Sequence, residues 1–238
     1  MPELPQTLEQ AVDQAQTATQ MAIADGLIRL QVELLFPELK VMPIAHRFVT
    51  AFEELGEELR VFFPDPGAAA LARRDWGEKP YAIRGIGELK AKMQPHERIF
   101  LFIEPSSVEV TQVEELCQEA EERPVVLLLP HLEDVATVGI GYAGRQLRAR
   151  FLNQFESCYY LRPLEGAVLL RCYPSAWQVW LEQDGTYKLF TEEPQKPSGE
   201  ALGQILMKAT GGAVEQPQHP PRHGFMGGLK QFLRALSQ

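Results

Sequence analysis

Few side chains in this chain of 238 residues stand where they can do chemistry. Of five histidines (His46, His96, His131, His219 and His223), His131 has the most suggestive setting. It follows Pro130 at the end of the apolar run Val125 to Leu129, with Glu133 and Asp134 close by. Glu104 follows a second run, Ile99 to Ile103, and Asp65 follows a third, Leu59 to Phe63. If these runs are strands of one parallel sheet, Asp65, Glu104 and His131 project from the same C-terminal rim. Open α/β sheets bind their ligands at that rim. The three would then line a small-molecule pocket with perturbed acid–base groups. The competing account is ordinary loop polarity, because buried strands must end in polar residues.

Other motifs carry less. Gly85-Ile86-Gly87 and Gly139-Ile140-Gly141 are GxG sequences without the full dinucleotide fingerprint, and there is no Walker A sequence. Ser106-Ser107 after a strand reads better as a helix N-cap than as a nucleophile. Arg145 and Arg148 are three residues apart, share a helix face and suit an anion or an acidic partner, or simply face water. Cys117, Cys158 and Cys172 are widely spaced without a CxxC pair. No metal and no cofactor is expected, and buried free thiols in a reducing compartment are the simpler account.

The elements that would position these groups alternate along the chain. A helix is expected over residues 6–24, with Thr7 as cap and Gln10 three residues later. Asp25-Gly26 breaks it. Leu30, Val32 and Leu34 then alternate with Arg29, Gln31 and Glu33, a strand pattern. Arg29 and Glu33 beside the tight turn either form a structural ion pair or line a contact surface. A helix over 43–58 follows, then the runs at 59–63, 99–103 and 125–129 with helices between them, a helix over 142–155 and a strand at 157–161. This is an α/β fold with a mostly parallel, Rossmann-like sheet flanked by helices. Runs at 167–172, 177–182 and 187–191, with Asp184-Gly185 as a hairpin turn, extend it as a C-terminal antiparallel meander.

The expected organisation is one α/β domain over residues 1–210, a Pro/Gly linker over 211–221 and a basic amphipathic helix over 222–238. In that tail Phe225, Leu229, Phe232, Leu233 and Leu236 recur at steps of four, three, one and three, so they share one side of a helix. Lys230 and Arg234, with Arg222, supply positive charge. Gly227-Gly228 weakens the helix, so a surface is needed to hold it: its own domain, an anionic membrane or a partner's groove.

Composition is that of a globular protein, 45% hydrophobic and 23% charged. The net charge of -9 favours solubility and argues against general nucleic-acid binding, which needs concentrated positive charge. No secretory leader is recognisable after Met1-Pro2-Glu3, and no run is long enough to span a bilayer. A cytoplasmic location is expected, with peripheral membrane contact through residues 222–238 as an option.

Several stretches resemble the DUF1995 family of cyanobacteria and chloroplasts. They are LPQTLEQAVDQAQTATQMAIADGLIRLQVELLFPEL, LRVFFPD, RIFLFIEPSS, VVLLLPHLED and YYLRPLEGAVLLRCYPSAWQVWLEQDGTYKLF. Asp25-Gly26-x-x-Arg29 and Val32-Glu33 carry the likeness most specifically. The resemblance implies a photosynthetic organism and a role in photosystem assembly or maintenance at the thylakoid surface, since the family includes a plant low-photosystem-II-accumulation factor. It supplies no active site. Family members often carry Asn-Pro where this chain has Leu129-Pro130, so a role for that asparagine does not transfer.

Two classes of function follow. One is a non-catalytic interaction or assembly factor whose partner is a photosynthetic membrane protein or complex. The other is a small-molecule or nucleotide-binding regulatory domain or enzyme that uses the sheet's C-terminal edge. The tail is tested by affinity pull-down from a photosynthetic lysate, with and without residues 222–238. Truncation is expected to abolish partner capture and membrane association; unchanged binding would rule out docking through the tail.

Overall fold

The computed structural model describes residues 3–88, 92–132 and 142–209. The expected tail helix, the 211–221 linker and Gly139-Ile140-Gly141 lie outside the described residues. The strands are β1 (Arg29–Leu34), β2 (Leu59–Phe63), β3 (Ala82–Gly85), β4 (Ile99–Ile103), β5 (Val125–Leu128), β6 (Glu156–Leu164), β7 (Ala167–Cys172), β8 (Trp177–Gln183) and β9 (Thr186–Glu193). The helices are α1 (Leu8–Ala24), α2 (Val41–Val49), α3 (Pro66–Trp76), α4 (Val110–Ala120), α5 (Tyr142–Arg150) and α6 (Gly199–Ala209). The strands form one sheet in the order β3-β2-β4-β5-β1-β6-β7-β8-β9. Every pairing from β3 to β6 is parallel, and those from β6 to β9 are antiparallel.

The parallel strands are continuous apolar runs because both of their faces are covered. On one face Leu30, Val32, Val61, Leu101 and Val126 pack under α1, α2 and α3, in a core that includes Ala15, Phe48 and Ala72. On the other face Phe62, Phe100, Phe102 and Leu127 pack under α4 and α5, with Val113, Cys117 and Leu147. A third cluster sets α6, through Leu202, against Tyr160, Leu169, Trp177 and Val179.

Local sequence explains how the elements start and stop. Thr7 caps α1 by accepting a bond from the Gln10 N–H at 3.2 Å. The Gln10 side chain reaches back one residue further than a simple capping box, to the Gln6 N–H at 2.7 Å. Alanines and Thr19 on its buried side let α1 approach the sheet closely. Tyr159 is wholly buried on β6, and its hydroxyl donates to Gln14 Oε1 at 3.0 Å, which ties α1 to the sheet. Such a bond contributes about 1 kcal/mol. The Asp184-Gly185 hairpin takes positive φ at both residues, 52° and 76°, as a type I′ turn requires.

The structure departs from sequence expectation at several places. The helix expected over 43–58 ends at Val49 and continues as a tighter 3₁₀ run, Thr50–Glu58, which Gly56 interrupts at φ 55°. The helix expected over 142–155 ends at Arg150, with one short turn, Leu152–Gln154, after it. Neither Ser106 nor Ser107 caps α4. Its N-cap is Glu109, whose carboxylate instead accepts from the Ser106 hydroxyl at 2.6 Å. The edge strand β3 was not expected, because four residues are too few to show a pattern.

β3 also accounts for Gly85-Ile86-Gly87. A Cβ on Gly85 would lie 2.6 Å from the Pro66 nitrogen and 2.7 Å from the Asp65 carbonyl carbon. Gly87 turns at φ 86°. The glycines thus permit close packing and a turn where β3 meets the start of α3. Gly85→Ala is expected to cost about 1–3 kcal/mol, the usual penalty for an overpacked site. Chemical denaturation of the variant against the parent checks it.

Candidate functional site at the C-terminal edge of the sheet

β1 and β5 are neighbours, but their chains leave the sheet in opposite directions. The chain after β1 runs to α2 on one face, and the chain after β5 runs to α5 on the other. A crevice opens between them, as at the switch point of any doubly wound sheet. A cavity of about 290 Å³ lies there. Leu34, Leu35, Phe36, Leu39, Val41 and Leu129 supply its apolar walls. Its charged and titratable lining is Glu33, Glu38, Glu104 and His131.

Two of the three rim residues expected from sequence meet here. His131 Nε2 lies 3.9 Å from Glu104 Oε1, with both side chains substantially exposed. A contact so open to water holds little. The backbone holds the pair in place more firmly. The Glu104 N–H donates to the Leu128 carbonyl at 2.7 Å, and the His131 N–H donates to that of Pro105 at 2.8 Å. Asp65 does not join them. It caps α3, accepting from the Gly67 and Ala68 N–H groups at 2.7 and 2.9 Å.

Three of the five non-glycine residues with positive φ among the described residues line this cavity: Glu38 at 57°, Glu104 at 50° and Leu129 at 53°. Such conformations cost free energy in all but glycine, and asparagine tolerates them best of the rest. Leu129 keeps its place because its side chain is buried and its N–H donates to the Val32 carbonyl at 2.8 Å.

Glu33 reaches the cavity from the last position on β1's polar face. Its Oε2 accepts from Gln31 Nε2 and from the Ser157 hydroxyl, each at 3.1 Å. Its Oε1 faces Lys196 Nζ at 3.8 Å. Burial, with Glu33 beside it, raises the neighbouring Tyr160 phenol above its ordinary range, so that hydroxyl stays neutral. Glu33 and Arg29 do not pair with each other. The Arg29 guanidinium instead donates to the carbonyls of Ile28, Cys117, Glu121 and Arg123 at 2.6–3.0 Å, gathering the C-terminal end of α4 onto β1. Asp25 ends α1 and accepts from the Tyr173 hydroxyl at 2.9 Å, and Gly26 makes the turn at φ 89°. The residues that carry the family likeness thus turn the chain into the central strand and anchor it.

The family model described as Domain of unknown function (DUF1995) matches residues 5–204. The chain belongs to the DUF1995 family. The match covers every strand of the sheet.

Elsewhere in this DUF1995 domain the sequence candidates are spread out. Arg145 and Arg148 are exposed on α5. Arg150 of the same helix binds Glu114 through two bonds, at 2.8 and 2.9 Å. Among the described residues, no group of three His, Cys, Asp or Glu side chains is placed to hold a metal ion. No described helix is long and apolar enough to cross a membrane. Sequence reading did not place Glu33 in the cavity, although alternation along β1 puts it last on the strand's polar face and therefore at the same edge. Nothing in the linker-like sequence around Lys196 signals its contact with the sheet.

All three thiols are buried. Burial pushes Cys117 and Cys158 up to about 12 and Cys172 up to about 11, against an ordinary value of 9.0. These groups therefore stay protonated in the folded chain at pH values where the unfolded chain ionises. Their contribution is intact below about pH 9 and is lost as pH rises through 9 towards 11–12. Iodoacetamide at pH 8 is expected to leave all three cysteines unmodified in the native protein and to label all three in denaturant, as read by intact mass.

Proposed function

We propose that this domain is a non-catalytic binding module whose rim cavity seats a lysine- or arginine-bearing segment of a partner polypeptide. The observation that carries this reading is the pairing of apolar walls with carboxylates at the switch-point crevice. Leu34, Leu35, Phe36 and Leu39 offer contact area to an apolar neighbour, and Glu33, Glu38 and Glu104 attract a cation. The same carboxylates repel phosphate, which weighs against a nucleotide as the occupant. Leu35, 40% exposed, and Val108, 83% exposed, add apolar surface on loops that leave this edge of the sheet.

The setting in this proposal is the assembly or maintenance of a photosynthetic complex, at the cytoplasmic face of the thylakoid. Support comes from the likeness of the chain to a family that includes a photosystem assembly factor. The partner is then a photosynthetic membrane protein or an assembly intermediate of one. Residues 222–238, with Phe225, Leu229, Phe232, Leu233 and Leu236 on one side and Lys230 and Arg234 as cations, would add peripheral contact with an anionic membrane.

Fluorescence anisotropy with a labelled pentapeptide carrying one lysine between leucines tests the cavity. The full chain is expected to bind it and to discriminate against the same peptide with glutamate in place of lysine. Glu104→Gln is expected to weaken binding about two- to fivefold, the range for a partly exposed charge pair. Equal binding of the lysine and glutamate peptides, or binding of neither, would overturn the reading.

A further inference from the structure

Lys196 lies in the connector between β9 and α6. Its ammonium sits 4.0 Å from the Tyr160 ring centroid and 5.5 Å from that of Trp177. The two rings meet edge to face at 5.1 Å. Glu33 closes a third side, with Oε1 at 3.8 Å. Two aromatic faces and a carboxylate make an ammonium seat, and here the chain fills it with its own side chain. Tyr160 and Trp177 are almost fully buried, whereas the Lys196 side chain is 46% exposed. The seat is therefore rigid and its occupant is open to water.

Glu33 belongs both to this seat and to the rim cavity. One of its oxygens is satisfied by neutral donors on the sheet, Gln31 and Ser157. The other is the one that faces Lys196. A cation entering the cavity and Lys196 thus address the same carboxylate. Two residues beyond Lys196, Ser198 caps α6: its hydroxyl accepts from the Ala201 N–H at 3.1 Å, and its carbonyl accepts from the Leu202 N–H at 2.8 Å. Leu202 is the buried residue of that helix.

We infer that Lys196 is a tethered competitor for the cation of the incoming segment, so that occupancy of the rim cavity loosens the connector and the first turn of α6. This rests on the reading that the cavity binds a lysine-bearing segment. An internal occupant lowers apparent affinity by the fraction of time it holds the seat, and tethering keeps its effective concentration high. The seat then screens partners: a weakly held cation does not displace Lys196, whereas a segment with good apolar contacts does.

The experiment uses the full chain and the labelled lysine pentapeptide. Lys196→Gln is expected to bind it about 3- to 10-fold more tightly than the parent. Lys196→Arg, which keeps the cation, is expected to return affinity to the parent value. Hydrogen exchange at the Ala201 and Leu202 amides is expected to quicken severalfold when the parent is saturated with peptide, and to be unchanged by peptide in Lys196→Gln. If the parent binds but Lys196→Gln binds equally or more weakly, the competitor role is overturned and the cavity reading stands. If neither protein binds the peptide, both fall together.

Discussion

β1 sits near the middle of a nine-stranded sheet and has two unlike faces. Leu30, Val32 and Leu34 are buried beneath α1 and α2, while Arg29, Gln31 and Glu33 are only half-buried on the opposite side. Charge at the centre of a sheet is costly unless every group is partnered. The two ends of β1 solve this differently. Arg29 is consumed by main-chain carbonyls at the end of α4. Glu33 is held by side chains from β1, β6 and the last connector. On that face the apolar cover of α4 and α5 and that of α6 form separate clusters. The polar stripe of β1 lies between the strands that carry them, and the cavity begins at its C-terminal end.

This arrangement puts two different kinds of anchor within six residues. The fastening end uses a guanidinium, whose several donors match the carbonyls of a helix terminus. The other end uses a carboxylate, which Lys196 faces at 3.8 Å. Positive φ occurs at both ends: at Glu38, Glu104 and Leu129 around the cavity, and at Glu121, whose carbonyl accepts from Arg29. The buried Leu129 side chain and the bonds from the Glu104 and Leu129 N–H groups to the neighbouring strands hold those two residues in place.

Much of the architecture was legible because it depends on local pattern. Continuous apolar runs marked β2, β4 and β5, alternation marked β1, and Asp-Gly marked the last hairpin. What escaped depends on distant partners. β3 is four residues long and exists because Gly85 can press against Pro66. The 3₁₀ run after α2 keeps helical spacing while tightening its turns, so periodicity alone does not reveal it. At the rim, strand ends placed Glu104 and His131 on one edge, but the same reasoning overrode the Asp65-Pro66 helix-start signal, by which Asp65 turns back to cap its own helix. Lys196 is the extreme case. Its sequence context, between prolines in a polar connector, reads as a linker, and only the approach of β6 and β8 brings the two rings to it.

The place of β1 also shapes how the chain must be built. Its parallel neighbours are β5, where Arg29 lies opposite Val125, and β6, where Leu30 lies opposite Glu156. A chain emerging from the ribosome therefore carries its future central strand with neither hydrogen-bonding edge matched until β5 has been made. Pairings so far apart in sequence are slow to form, and an unmatched apolar strand invites association with other chains. The strand that organises the finished domain is thus its point of greatest exposure during birth.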